Sequence, residues 1–197
     1  TYMDDEALTA VVDHKVPLVP TFTFQANLAD FGAAIGSDES LREVFRAEIT
    51  NSVNTLRAAF DAGVPLLTGS ESGFSLTPCG DWHYRELQIF VEDLGMSPLQ
   101  AINSATEQGA RALRMEGELG CIKPNYLADI LIFDGEPETH VAQLGDADRF
   151  RHIIKDGQLV DTSTPLPKQW HLPGWRVSEY SEKILTKELV QSMGLNL

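Results

Sequence analysis

One acidic side chain stands where a carboxylate could take part in chemistry. The apolar run at residues 64–67, Val-Pro-Leu-Leu, has the length and composition of a strand buried on both faces. It is followed at once by Thr68-Gly69-Ser70-Glu71-Ser72-Gly73, whose two glycines permit a tight turn around Glu71. In α/β proteins reacting groups collect at the carboxyl ends of parallel strands, so Glu71 is the first candidate. Further along, Asp81-Trp82-His83 leads into a helical pattern that could return His83 to the same mouth. The plainer reading, in which Glu71 merely solvates a loop, stands beside this one.

The elements that would hold these residues can be read along the chain. A helix is expected from Asp4 to His14, with Leu8, Val11 and Val12 on one side. Residues 16–24 (VPLVPTFTF) are β-branched and aromatic and read as a buried parallel strand, with Pro20 and Thr21 at its carboxyl end. Residues 27–36 read as a loop. Ser37 is expected to cap a long helix in which Leu41, Val44, Phe45, Ile49, Val53, Leu56, Ala59 and Phe60 keep a helical spacing until Gly63 stops it. Strand, helix and the strand at residue 64 make a unit whose two strands should be parallel. Residues 84–94 and 98–113 read as two further helices, split by Gly95 and started by Ser97-Pro98.

From Glu118 the period changes to short strands. Residues 130–133 form one, and residues 150–154 and 158–160 bracket Lys155-Asp156-Gly157, a hairpin signal. Asn125, a residue type that tolerates the left-handed conformation, stands before the first of these strands. The Pro/Trp-rich residues 163–175 read as an ordered arm, and residues 178–193 as a terminal helix with Tyr180, Ile184, Leu185 and Leu189 on one side.

Composition narrows the function classes. The chain has 197 residues, 43% hydrophobic and 22% charged, which suits ordinary globular material with a good-sized core. A net charge of -14 with no basic cluster argues against nucleic acid or an anionic membrane surface as partner. The two cysteines, Cys79 and Cys121, make no disulfide framework and lack metal-ligand spacing, so a reducing, cytoplasmic setting is the expectation. No apolar stretch approaches the roughly 20 residues of a membrane span.

The order of motifs resembles the metal-dependent amidohydrolase superfamily, most of all its imidazolonepropionase and prolidase-like branch. The apolar strand with Gly69-Ser70-Glu71-Ser72-Gly73 resembles the family's last barrel strand, where the usual form is Gly-Thr-Asp-Ser/Ala-Gly. The likeness continues through His83, Glu86-Leu87, residues 94–102 (LGMSPLQAI), Ala105-Thr106, residues 109–113 (GARAL), residues 117–129 (GELGCIKPNYLAD), residues 130–134 and residues 153–160 (IIKDGQLV). The fold it implies is α/β: the carboxyl-terminal part of a (β/α)8 TIM barrel over residues 1–115, strands of a small β-sandwich over 116–162, and a carboxyl-terminal arm and helix over 163–197.

The resemblance implies a hydrolase of C–N bonds in amide, cyclic amide, carbamate or urea-like compounds, using a metal-activated water. Glu71 takes the place of the family's aspartate, which touches the metal and moves the proton from water to the leaving amine. His83, Thr21 and the loop at 27–36 would shape the substrate pocket. The cofactor implied is a divalent transition metal, with zinc expected, as one or two ions. The five histidines, His14, His83, His140, His152 and His171, include no His-x-His or His-x-x-x-His pair, so most ligands must lie outside this chain. Of these only His83 has a candidate role, and His152, alternating with Phe150 and Ile154, reads as structural. Arg85, the one basic residue near the site, reads as a solvated helix residue.

Two parallel strands cannot stand as a sheet alone. The expected partner is therefore the amino-terminal segment of the same enzyme as a separate chain, beside a small-molecule substrate. A homo-oligomer is also expected, with Phe31, Trp170 and Trp175 as contact aromatics. The alternative is a non-catalytic, degenerate subunit or interaction module.

Overall fold

The computed structural model describes residues 3–164 and 183–195. Helix α1, Asp5–His14, starts where Asp4 Oδ1 accepts the Ala7 N–H at 2.8 Å, and ends at Lys15 in the left-handed conformation. The chain then meets residues 64–67 in a single parallel bridge, Leu18 with Leu66. Leu18 N–H donates to the Pro65 carbonyl at 3.0 Å, and Leu67 N–H to the Leu18 carbonyl at 2.8 Å. The two segments are parallel, as the strand–helix–strand unit requires, yet the expected strand over residues 16–24 is reduced to this bridge. Pro17 and Pro20 offer no N–H to a ladder, and helix α2, Phe22–Phe31, begins directly after Thr21.

The expected loop over residues 27–36 is instead the second half of α2 and a 3-10 turn, Gly32–Ile35. Its apolar residues Leu28, Phe31 and Ile35 belong to the core. Phe31 is thus buried, not a subunit-contact aromatic. Helix α3, Glu39–Asp61, is capped by Asp38, whose Oδ1 accepts the Ser40 N–H at 2.8 Å, one residue beyond the expected cap at Ser37. Its buried stripe is Ser52, Leu56 and Ala59, while Val44 faces out. Gly63, at φ +83°, turns the chain into the buried run Val64, Leu66 and Leu67.

Helix α4, His83–Glu92, carries Leu87, Ile89 and Phe90 into the core. Helix α5, Pro98–Ala105, opens with a capping box in which Ser97 and Gln100 exchange hydrogen bonds. The single helix expected over residues 98–113 is broken at Thr106, where ψ falls to −93°, and resumes as α6, Glu107–Ala112. The Thr106 hydroxyl donates to the Ile102 carbonyl at 2.8 Å, a side-chain bond that competes with the helical ladder there.

Three strands form one antiparallel sheet in the order β1, Ile130–Phe133; β2, Phe150–Lys155; β3, Gln158–Leu159. Ile130 pairs with Ile154 and Phe133 with Phe150, with a register irregularity between Ile132 and Phe133. Asp156 and Gly157, at φ +51° and +75°, make the two-residue turn that the hairpin signal anticipates. Asn125 takes φ +69°, as its turn requires.

The core lies in two clusters. One gathers Phe22, Leu56, Leu66, Leu87, Phe90 and Leu94. The other gathers Leu28, Phe31, Leu76, Trp82, Leu185 and Val190, the last two from the carboxyl-terminal segment. There the helix α7 spans Lys187–Ser192, shorter than the helix expected over residues 178–193, of which 178–182 lie outside the described residues. Trp170, Trp175, His171 and most of the expected arm also lie outside them. No helix among the described residues is long and apolar enough to cross a membrane.

Candidate active site

The two bridged segments each end in a non-glycine residue held in the left-handed conformation: Thr21 at φ +60° and Glu71 at φ +46°. For a β-branched residue such as threonine this region is a marked outlier, and strain of this kind collects at functional sites. What holds Thr21 is a carboxylate from α4. Glu86, fully buried, accepts the Phe22 N–H at 3.0 Å through Oε1, and the Thr23 N–H at 2.7 Å and Thr23 hydroxyl at 2.8 Å through Oε2. Thr21 makes no side-chain cap, so Glu86 supplies the acceptors that the first turn of α2 lacks. Burial pushes the Glu86 carboxyl up from 4.5 to about 7, against the downward pull of these donors.

Glu71 is held by its backbone. Its carbonyl accepts the Thr77 hydroxyl at 2.7 Å while Gly73 N–H donates to the Thr77 carbonyl at 2.9 Å, so the turn closes on itself and leaves the Glu71 side chain exposed. The turn lies against the other segment at Gly69. A Cβ there would come within 2.5 Å of Val19 Cγ1 and 2.9 Å of Thr21 Oγ1, so glycine is what permits the approach.

His83, at the first position of α4, joins the same turn. Its Nδ1 lies 3.1 Å from Ser70 Oγ, and its Nε2 accepts the Gly80 N–H at 3.3 Å. A backbone N–H only donates, so this arrangement is that of a ring with its hydrogen on Nδ1, facing Ser70 Oγ. The Glu71 turn thus lies against Thr21 through Gly69 and against His83 through Ser70.

Arg85 is not solvated. Its guanidinium pairs with Asp30 and lies over the Phe31 ring, 4.8 Å from the centroid, and it is only 8% exposed. It braces α4 against α2. Glu86 carries no role in the sequence reading, although the signal was present: it sits three residues before Ile89 and four before Phe90, on the buried stripe of α4. Among the described residues no group of three or more histidine, cysteine, aspartate or glutamate side chains could hold a metal ion. Glu71 offers one carboxylate and no more, so these residues do not make a metal centre by themselves. Cys79 and Cys121 are free thiols.

Comparison with known proteins places this geometry. Residues 3–160 match the Amidohydrolase family. The imidazolonepropionase of Streptomyces avermitilis is 36% identical over 117 residues, which is 58% of this chain and 26% of that protein. Among solved structures, a Xaa-Pro dipeptidase with methionine bound in its active site superposes with a TM-score of 0.65 at 28% identity, over 81% of this chain and 38% of that one. A prolidase complexed with N-methylphosphonate-L-proline gives 0.68 at 28% identity, over 80% of this chain and 38% of that one. The chain thus spans well under half the length of these relatives. With the family matched across the bridged segments, the Glu71 turn, α4 and the three-stranded sheet, this chain is a member of the amidohydrolase family.

Proposed function

We propose that this chain is the carboxyl-terminal part of a (β/α)8 amidohydrolase that cleaves a C–N bond, with Glu71 as the proton carrier. The observation that carries the reading is the pair of left-handed residues, Thr21 and Glu71, at the ends of two parallel segments, with Glu71 at the family's acidic position. In this reading Glu71 accepts a proton as water attacks the carbonyl carbon. The new C–O bond forms, the C–N bond breaks, and Glu71 returns the proton to the departing nitrogen. Thr21 and His83 border the bound substrate. An imidazolone and an Xaa-Pro dipeptide, the groups in the relatives' names, both carry a carbonyl–nitrogen bond, which supports an amide or cyclic amide as substrate class.

A metal site of this family would need ligands that the described residues do not supply, so the proposal includes a complementing amino-terminal polypeptide that brings them. The exposed apolar side chains Val16 and Val19, beside the bridge, support such a partner.

The test is hydrolysis of a panel of amides, cyclic amides and carbamates by the complemented protein. Glu71→Gln keeps the shape of the side chain and removes its basicity. The expected loss in kcat is about 10²–10⁴-fold with an unchanged fold. Turnover equal to the unsubstituted protein would remove Glu71 from the chemistry.

A further inference from the structure

The turn between Gly69 and His83 is gripped from two directions. On the inner side Asn27 of α2, fully buried, donates its Nδ2–H to the Leu76 carbonyl at 2.7 Å. On the other side the carboxyl-terminal segment meets the turn at three points. Leu185 N–H donates to the Ser75 carbonyl at 2.7 Å, the Trp82 indole N–H donates to the Leu185 carbonyl at 2.8 Å, and Lys187 N–H donates to Asp81 Oδ2 at 3.0 Å. Leu185 thus gives its N–H to one limb of the turn and its carbonyl to the other, and staples residues 75 and 82 through a single backbone unit.

The staple is anchored by packing. The Leu185 and Val190 side chains are fully buried and share a core with Leu76 and Trp82 of the turn. Trp82 stacks between Phe31 and Tyr84, with ring centroids 5.5 and 6.5 Å away. Lys187 Nζ donates to the Gly145 carbonyl at 2.6 Å and lies over the Tyr84 ring. Thr186 caps α7 through the Leu189 N–H at 3.1 Å. Ordering a turn costs backbone entropy at every residue, so its single conformation needs contacts of this kind from outside.

We propose that residues 183–195 form a clasp that sets the conformation of the turn carrying Glu71 and His83. Leu185 and Asp81 are its positioning residues; they act through Ser75 and Trp82, and Trp82 directly precedes His83. The clasp goes beyond the hydrolase reading and stands or falls independently of it, because its consequences are read without substrate. While the clasp is closed, Ser70 and Gly80 keep the His83 ring in the Nδ1–H form; when it opens, those partners move with the turn and the ring takes a mixture of tautomers.

The experiment combines amide hydrogen exchange with ¹⁵N NMR of the histidine ring nitrogens on the whole chain, comparing Leu185→Ala and Asp81→Ala with the unsubstituted protein. The expected result is exchange accelerated about tenfold or more across residues 73–82, with α3 unchanged and the His83 Nδ1–H signature lost. The clasp is overturned if exchange rises only within residues 183–195 while the His83 signature stays, or if it rises equally in α3. Asp81→Ala, which removes one acceptor at a partly exposed position, applies the same criteria alone if Leu185→Ala does not fold.

Discussion

Glu86 shows how a single buried acid organises a site without touching substrate. Its carboxylate serves the Phe22 and Thr23 N–H groups and the Thr23 hydroxyl, and thereby fixes Thr21 in a conformation it would otherwise avoid. Glutamine at position 86 keeps one carbonyl acceptor but turns an NH2 toward the Phe22 or Thr23 backbone N–H, which only donates. Glu86→Gln should therefore cost about 1–3 kcal/mol in denaturant unfolding above pH 7. Because burial raises the native carboxyl from 4.5 to about 7, the native state holds more protons than the unfolded chain between those values. The Glu86 contribution to stability accordingly falls as pH rises from about 4.5 to about 7, and is flat on either side. Asp93, raised first by burial and then by Glu92 and Asp30, adds a slope of the same sign, so the diagnostic is a difference. Unfolding measured across this window should show a shallower fall in Glu86→Gln than in the unsubstituted protein. An identical slope would mean that Glu86 does not titrate there. The place of Glu86 on the buried stripe of α4 was legible from the local sequence, but its partners were not, because they lie more than sixty residues upstream.

At the scale of elements, Gly69 is what lets the two bridged segments approach each other. Gly69→Ala would drive a methyl group into Val19 and Thr21, with an expected loss of about 1–3 kcal/mol in unfolding and displaced Thr21 and Ser70 resonances. A variant as stable as the parent, with those resonances unmoved, would show that the segments are not in contact. Ser97→Ala should remove the α5 capping box at a cost of about 0.5–2 kcal/mol, checked by the same unfolding measurement. The sequence was readable wherever the local chemistry was sufficient. Ser97-Pro98 with Gln100, the Asp156-Gly157 turn and the long apolar period of α3 each carry their own instructions. It was misread at residues 16–24, where β-branched and aromatic residues argued for a strand. The reason is tertiary: Pro17 and Pro20 interrupt pairing, and the helix start at Phe22 rests on Glu86, a distant cap. The loop expected at residues 27–36 failed for a related reason, because Leu28, Phe31 and Ile35 face a core partly built by Leu185 and Val190 from the far end of the chain.

At the scale of the whole molecule, the described residues leave an exposed apolar edge beside the two bridged segments. Val16 is 45% and Val19 50% exposed beside a bridge of one residue pair, a poor end state for segments of this composition. The glycine-bounded turn at Glu71 was legible from its setting, directly after an apolar run. In the proposed function a second polypeptide would close the barrel and bring the ligands. The most direct test is native mass spectrometry with elemental analysis of the protein purified under non-denaturing conditions. The account predicts that the 21.7 kDa chain travels with a second polypeptide and about one or two equivalents of a divalent transition metal. A folded chain that travels alone and metal-free would contradict it.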